Sequence, residues 1–328
     1  MIENVLYTNL CLAERICFKK SDVLRWKSEP MKPFTLALIQ ARAGWDVDEN
    51  MRRAIQAIYN AAQQGAAVIC LQELFRTPYL CQTEDPSLFD YAEPIEGPTF
   101  EALGPVAKEA GVTLIAPIFE RRAPGVYHNS ILVIAADGTR AGLYRKMHIP
   151  DDPGYYEKYY FTPGDLGFRA FDTPVGKVGA LICWDQWYPE GARLTAMQGA
   201  QVLVYPTAIG WHPREKAQVG QPQREAWQIM QRAHAISNGV FVAAVNRVGH
   251  EVCARGGEGI EFWGSSFICD PFGQIIAEGS SSEEAIVTAE IDPKRIEEVR
   301  RNWPFLRDRR IDAYEGIQAR FLDGGGLS

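Results

Sequence analysis

The sequence predicts an α/β fold in which mixed β-sheets are buried beneath helices. Apolar segments of strand length alternate with segments whose apolar residues recur at helical spacing. Turn-forming sequences such as Asp137-Gly138 separate some of the strands, which indicates hairpins and therefore antiparallel pairing among otherwise parallel strands. No linker-like stretch interrupts residues 33–310, so these residues are expected to form one domain.

The first half of the chain begins the alternation. Phe34–Gln40 is a short apolar strand, and the apolar positions between Met51 and Ala62 then follow a helical period that ends before Gly65. The next predicted elements are the strand Ala66–Leu71, the helix Phe100–Ala110, the strand Val112–Phe119 and the hairpin strands His128–Ala136 and Ala141–Arg145.

The second half repeats the pattern. Pro189 is placed to begin a helix, and Asn238-Gly239 is placed to end a longer one. The predicted elements are the strand Val178–Ile182, the helix Glu190–Gln198, the strand Val202–Tyr205, the helix Gln223–Ser237, the strand Val240–Val245, the hairpin Ser266–Ala277, the strand Ala285–Ile291 and a charged helix from Pro293.

Both ends of the chain differ from this core domain. Residues 1–32 show no sustained period and are interpreted as an N-terminal extension, with a further Met at position 31. Residues 311–328 form a C-terminal tail, and apolar side chains such as Tyr314 and Phe321 predict that it packs at a subunit interface. A homodimer or a larger homo-oligomer is therefore expected.

Composition limits the classes of partner. The formal net charge of -7 and the sequence pI near 5.4 argue against nucleic acid or an anionic membrane, because those partners require clustered Lys and Arg. A small neutral or cationic substrate suits this charge better. No window approaches the ~20 apolar residues of a membrane span and no signal peptide is recognisable, so a cytoplasmic location is expected.

The cysteines predict neither a disulfide framework nor a metal site. They are odd in number, irregularly spaced, and include no CxxC pair or closely spaced Cys/His set. We expect no metal and no other cofactor. The seven positions are Cys11, Cys17, Cys70, Cys81, Cys183, Cys253 and Cys269.

Cys183 is the candidate nucleophile. It follows the apolar strand Val178–Ile182 and precedes a helix, a place where a helix N-terminus or a nearby cation lowers the pKa of a thiol. Taken alone, such a cysteine is more often a small buried apolar residue, so the assignment depends on partners.

Two such partners also stand at strand ends. Glu73 follows the strand Ala66–Leu71, where a carboxylate could take the thiol proton and return it to a leaving nitrogen. Lys146 follows the strand Ala141–Arg145, and its ammonium could stabilise an oxyanion. Either residue alone could equally be a solvated or capping side chain. The five histidines form no HxH or HExxH motif, so a carboxylate is the expected base.

Together, these segments resemble the nitrilase superfamily of carbon-nitrogen hydrolases. The matching sequences are Leu71-Gln-Glu73-Leu-Phe, Tyr144-Arg-Lys146-Met-His-Ile-Pro and Ile182-Cys183-Trp-Asp. The resemblance implies a nitrilase-like four-layer α-β-β-α sandwich with mixed sheets and a Glu, Lys, Cys triad formed by Glu73, Lys146 and Cys183. It also implies that Glu157 orients the lysine.

Within the superfamily, the segments after Lys146 and Cys183 resemble the N-carbamoylputrescine amidases. That resemblance implies hydrolysis of N-carbamoylputrescine to putrescine, carbon dioxide and ammonia. Relatives that act on carbamoyl amino acids have an Arg-Arg pair where this chain has Gln186 and Trp187, so a carboxylate clamp is missing there.

The expected substrate is therefore a small cationic carbamoyl amine. We expect four residues to contact it: Trp184, Asp152, Tyr79 and Tyr156. Asp152 could instead belong only to a turn, since Asp, Pro and Gly adjoin there. The alternatives are another small-molecule amidase, namely an ω-amidase, an aliphatic amidase or a β-ureidopropionase-like enzyme, or a non-catalytic binding protein with the same fold.

Overall fold

Residues 32–322 are described by a computed structural model of the chain. The expected N-terminal extension, with Cys11 and Cys17, and the last residues of the tail lie outside this range. Strands occupy β1 (Phe34–Gln40), β2 (Ala66–Leu71), β3 (Thr113–Ala123), β4 (Val126–Ile134), β5 (Arg140–Arg145), β6 (Arg169–Thr173), β7 (Gly176–Ala180), β8 (Val202–Thr207), β9 (Gly210–Trp211), β10 (Phe241–Asn246), β11 (Val248–Glu251), β12 (Ile260–Trp263), β13 (Phe267–Cys269), β14 (Ile275–Glu278) and β15 (Ala285–Ile291).

Several helix ends carry the residue types expected of helix caps. Asp46 accepts the N–H groups of Asp48 and Glu49 at the first helix, and Gly239 ends the longest helix in the left-handed conformation with φ of 58°. The helices are α1 (Val47–Gln63), α2 (Pro98–Ala110), α3 (Glu157–Tyr160), α4 (Pro189–Met197), α5 (Pro213–Asn238) and α6 (Pro293–Asn302).

Within residues 32–322, two six-stranded sheets face each other. Their strand orders are β15-β1-β2-β3-β4-β5 and β14-β13-β10-β8-β7-β6. Parallel pairs lie at the centre of each sheet, β1-β2-β3 in one and β7-β8-β10 in the other, and antiparallel strands flank them. A small third sheet pairs β11, β12 and β9.

Apolar packing arranges the molecule in four layers. Alternate residues of both large sheets, among them Leu36, Val68, Val178 and Val204, form one buried cluster between the sheets. The opposite face of the first sheet packs on α1 and α2, and that of the second packs on α4 and α5. The predicted α-β-β-α sandwich with mixed sheets is thus confirmed.

The structure contains four strands that the sequence analysis did not predict, namely β6, β9, β11 and β12. Two predicted boundaries near the candidate site also differ. Helix α5 begins at Pro213 rather than at Gln223, because its first turns are polar and exposed and therefore show no apolar period. The strand before the candidate nucleophile ends at Ala180 rather than at Ile182, and a short 3₁₀ helix spans Cys183–Trp187.

The described residues include no helix that is long and apolar enough to cross a membrane.

Candidate active site

The sandwich brings the predicted site residues from both sheets to one place. Glu73 follows β2 and Lys146 follows β5 in the first sheet, whereas Cys183 follows β7 in the second. Glu157 is the first residue of α3. All four residues are buried, with relative exposures of 0% for Glu73, Lys146 and Glu157 and 5% for Cys183.

Lys146 lies between two carboxylates. Its Nζ donates to Glu73 Oε1 at 2.9 Å and to Glu157 Oε2 at 2.6 Å. Asn129 Nδ2 donates to the same Glu73 oxygen at 2.7 Å, and the Tyr79 hydroxyl donates to Glu157 Oε1 at 2.7 Å. Glu73 Oε2 is buried and has no hydrogen-bond partner among the described residues, so this oxygen is available for proton transfer.

These contacts fix the charge of the lysine. Burial by itself lowers the pKa of Lys146, but the carboxylates of Glu157 and Glu73 outweigh burial, and the pKa lies well above its ordinary value. Burial also raises the pKa of Glu157, against the opposing effect of Lys146. The site therefore holds a permanent ammonium between two carboxyl groups.

Cys183 sits on a sharply turned backbone. Its φ of 39° is in the left-handed region, which is uncommon for residues other than glycine. Asp185 stabilises this turn, because its carboxylate accepts the N–H of Ile182 at 3.0 Å and the hydroxyl of Tyr144 at 2.7 Å. The Cys183 thiol lies 3.8 Å from the carbonyl oxygen of Ala208.

The Cys183 thiol is neutral at rest. Burial, followed by the Glu73 carboxylate, raises its pKa well above the ordinary value, although Lys146 acts in the opposite direction. This result corrects the expectation from the sequence that the strand-end position would lower the pKa of the thiol. Nucleophilic attack thus requires a base that removes the proton.

A cavity of about 680 Å³ opens onto Cys183. Its walls include apolar side chains such as Trp184, Trp187 and Ile209, together with the polar residues Asp152 and Glu157. Among residues 32–322, no group of three or more His, Cys, Asp or Glu side chains is placed to bind a metal ion.

The predicted binding residues divide into two groups. Trp184 and Asp152 line the cavity. Tyr79 and Tyr156 do not: Tyr79 is fully buried against Glu157, and the Tyr156 N–H donates to the carbonyl oxygen of Cys81. It is Tyr155 that lines the cavity, and its hydroxyl accepts the N–H of Gly210 at 3.0 Å.

Sequence reasoning missed the residues that the third sheet and α5 contribute to the cavity. They stand far along the chain from the strand-end motifs and form no motif of their own. Several of them are exposed, so no pattern of apolar residues in the sequence marks them either. These residues are His212, Arg214, Glu215, Gln223, Ala226 and Trp263.

Comparisons with known proteins agree with this geometry. Residues 35–301 match the family model described as carbon-nitrogen hydrolase. The chain is 43% identical over 300 residues to N-carbamoylputrescine amidase from Solanum lycopersicum, covering 90% of this chain and 98% of that protein. It is 39% identical over 292 residues to citrullinase from Francisella tularensis, covering 89% and 100%.

A solved structure shares the architecture. The crystal structure of a carbon-nitrogen hydrolase from Helicobacter pylori G27 matches with a TM-score of 0.85 and 44% sequence identity. The match covers 88% of this chain and 100% of that one.

Replacing Glu73 by Gln should slow alkylation of Cys183 by iodoacetamide at a fixed pH near neutrality. Glutamine cannot take the thiol proton, and burial still holds the pKa of the thiol above its ordinary value, so less of the reactive thiolate forms. Mass spectrometry of peptides would locate and time the modification, with Cys183→Ser as the control. An unchanged rate, or modification only at Cys70 or Cys81, would contradict this account of the site.

Proposed function

Because the chain belongs to the carbon-nitrogen hydrolase family, we propose that it hydrolyses N-carbamoylputrescine to putrescine, carbon dioxide and ammonia with Cys183 as nucleophile. Family membership confirms the resemblance that the three strand-end motifs predicted. The proposed substrate rests on one structural observation above all: acidic side chains line the same cavity as Cys183, together with aromatic and aliphatic side chains.

The proposed reaction begins with proton transfer from Cys183 Sγ to Glu73 Oε2, the oxygen that has no other partner among the described residues. The thiolate attacks the carbamoyl carbon, and the carbonyl electrons move to oxygen. Lys146 and the backbone N–H of Trp184 stabilise that oxyanion. The protonated Glu73 then donates to the departing nitrogen.

The second half of the reaction releases the acyl group. Glu73, again a carboxylate, removes a proton from water, and the hydroxide attacks the thioester-like intermediate. Collapse of this second tetrahedral intermediate releases a carbamic acid and restores the Cys183 thiolate, which regains its proton from Glu73. The carbamic acid then loses carbon dioxide and frees the second nitrogen, so that ammonia and putrescine are both released. Glu157 contacts the opposite side of Lys146 and keeps the ammonium directed at the site.

Two carboxylates support recognition of a distal ammonium. Asp152 lines the cavity in a tight turn, where its backbone pairs with that of Tyr155. Glu215 lines the same cavity and has no ion pair among the described residues. An alkyl chain would pack against Trp184 and Trp187, and a cation near such rings gains ~0.5 to 2 kcal/mol.

Recognition of a substrate carboxylate has weaker support. Gln186, which stands where a clamp arginine would be expected, is buried, and its Oε1 accepts the indole N–H of Trp227 at 2.8 Å. Arg214 does line the cavity, but Glu258 pairs with its Nε at 2.6 Å. Arg214 is the one observation that favours a zwitterionic substrate such as citrulline, which is therefore the second candidate.

We also propose that the protein forms a homodimer or larger homo-oligomer. Leu194 and Met197 of α4 are exposed by 48% and 52%, and Arg309 of the C-terminal segment contacts the Met197 sulfur. Large apolar side chains remain exposed along that segment, namely Trp303, Phe305, Ile311, Tyr314, Ile317, Phe321 and Leu322. Exposed apolar side chains on both α4 and this segment, which the Arg309–Met197 contact brings together, fit a second copy of the chain.

A panel of carbamoyl compounds assayed for ammonia release tests the proposed substrate. N-carbamoylputrescine should exceed N-carbamoyl-β-alanine by at least ~100-fold in kcat/KM, since attraction and repulsion differ by a few kcal/mol in a partly desolvated cavity. An uncharged carbamoyl alkylamine of equal length and citrulline should fall between them. Cys183→Ala is the inactive control. Comparable rates for all compounds, or a preference for citrulline, would refute the N-carbamoylputrescine proposal.

Glu215→Gln and Asp152→Asn should each raise KM for N-carbamoylputrescine by about fivefold to tenfold, because each removes one partly solvated charge interaction. KM for the uncharged analogue should stay within about twofold, since no charge interaction is lost. Glu225→Gln makes the same charge change on α5 outside the cavity lining and serves as the matched control. If KM rises equally for the cationic and uncharged substrates, the substrate ammonium does not bind near these carboxylates.

Sedimentation velocity tests the proposed assembly. The wild-type protein should sediment as a multiple of the 36.7 kDa chain, and Met197→Glu should shift it toward the monomer by placing a charge on the apolar surface. Ile276→Glu, on the exposed part of β14, is the control and should leave the mass unchanged. A wild-type monomer would exclude the homo-oligomer.

A further inference from the structure

A second buried ion pair lies beside the catalytic cluster and outside the cavity lining. Arg247 follows β10, Glu251 ends β11, and their side chains are exposed by 0% and 4%. Arg247 Nη1 donates to both carboxylate oxygens of Glu251, at 2.9 and 2.7 Å. Burial raises the pKa of Glu251, and Arg247 opposes this effect. Burying charges costs free energy, so the further contacts of this pair indicate what its role is.

The pair holds both ends of the segment from Glu73 to Tyr79. Arg247 Nη2 donates to the carbonyl oxygens of Glu73 at 2.7 Å and of Leu74 at 3.1 Å, and Nη1 lies 3.3 Å from that of Thr77. The Glu251 carboxylate accepts the N–H of Tyr79 at 2.6 Å. One ion pair thus forms hydrogen bonds with three carbonyl groups and one N–H group of this segment, none of which is paired with a neighbouring strand.

The backbone of this segment needs such support. Leu74 has a φ of 49°, a conformation that costs free energy for a residue with a Cβ atom. In this conformation the carbonyl groups of Glu73 and Leu74 both contact one guanidinium nitrogen. The charged hydrogen bonds of Arg247 therefore stabilise a turn that would otherwise relax.

The two ends of the segment lead to the two carboxylates of the site. Glu73 is itself the proposed base, and the Tyr79 hydroxyl donates to Glu157. We infer that Arg247 and Glu251 are positioning residues that set Glu73 Oε2 against Cys183 and, through Tyr79, set Glu157 against Lys146. This inference rests on the proposed role of Cys183 and Glu73.

A buried carboxylate of the same chemistry outside this segment provides a matched control. Asp270 is exposed by only 7%, lies 3.5 Å from Arg295, and accepts the N–H of Phe272 at 2.9 Å. Both Glu251 and Asp270 thus bind an arginine and a backbone N–H. Asp270, however, supports the turn between β13 and β14 and has no hydrogen bond to the segment from Glu73 to Tyr79.

The test compares Glu251→Ala with Asp270→Ala in the full chain. Glu251→Ala should lower kcat for N-carbamoylputrescine by about tenfold or more with KM within about twofold, since misplacement of a base affects the chemical step. Asp270→Ala should lower the thermal midpoint Tm by a similar amount and keep kcat within about twofold. Glu251→Gln, whose amide oxygen can still accept the Tyr79 N–H, should restore most of the lost kcat.

Arg247→Lys covers the case in which Glu251→Ala fails to fold. Lysine retains the charge but cannot donate to Glu251 and to two carbonyl groups in the same geometry, so the loss in kcat should again be about tenfold or more. Wild-type kcat in Arg247→Lys and Glu251→Ala would overturn the inference. An equal loss of kcat in Asp270→Ala would also overturn it, because the loss would then follow from lower stability.

Alkylation of Cys183 separates this inference from the proposed substrate. Iodoacetamide needs no carbamoyl compound, and the rate responds to the distance between the Glu73 carboxylate and the thiol. Glu251→Ala should shift that rate toward the slower rate expected of Glu73→Gln, whereas Asp270→Ala should keep the wild-type rate. If the wild-type enzyme does not hydrolyse N-carbamoylputrescine, the proposed substrate is refuted. If the alkylation rate is unchanged in Glu251→Ala, the positioning role is refuted.

Discussion

The structure of the site depends on one buried ammonium. Lys146 is fully enclosed, and an isolated charge in such a place costs several kcal/mol after relaxation. Contacts of 2.9 and 2.6 Å to Glu73 and Glu157 offset that cost, but only while both carboxylates are held in place. Asn129 binds the Glu73 oxygen that faces the lysine, Tyr79 binds the other oxygen of Glu157, and Arg247 binds the backbone of Glu73. These hydrogen bonds thus hold in place the two carboxylates that a buried ammonium requires.

Apolar packing determines how this charged group meets the nucleophile. Glu73 and Lys146 extend from one sheet, and Cys183 extends from the other. Their relative position is therefore set by the side chains that fill the space between the sheets, and protein interiors are packed densely enough to resist small shifts. The same packing explains how Cys183 is held at a positive φ, because Asp185 ties the turn to Tyr144 of the first sheet.

The strand-end residues could be predicted from the sequence because local patterns place them. An apolar strand before Glu73, Lys146 or Cys183 is visible in a few neighbouring positions, and parallel strands bring their ends to one edge. Glu215 and Arg247 could not be found in this way. The first lies in the opening turns of a helix, which are polar and show no apolar period, and the second contacts residues more than 170 positions away. Tyr79 shows the same limit, since only the fold reveals that it faces Glu157 rather than the cavity.

The charges also explain how a thiol with a raised pKa can serve as a nucleophile in a buried site. Removing its proton to solvent would add a negative charge to an interior that already holds two carboxyl groups, and burial penalises that change. Transfer from Cys183 to Glu73 leaves the total charge of the cluster unchanged. The negative charge only moves from one neighbour of Lys146 toward another, and the lysine attracts it in both places. A low-dielectric interior strengthens that attraction, so the burial that suppresses spontaneous ionisation also favours ionisation by internal proton transfer.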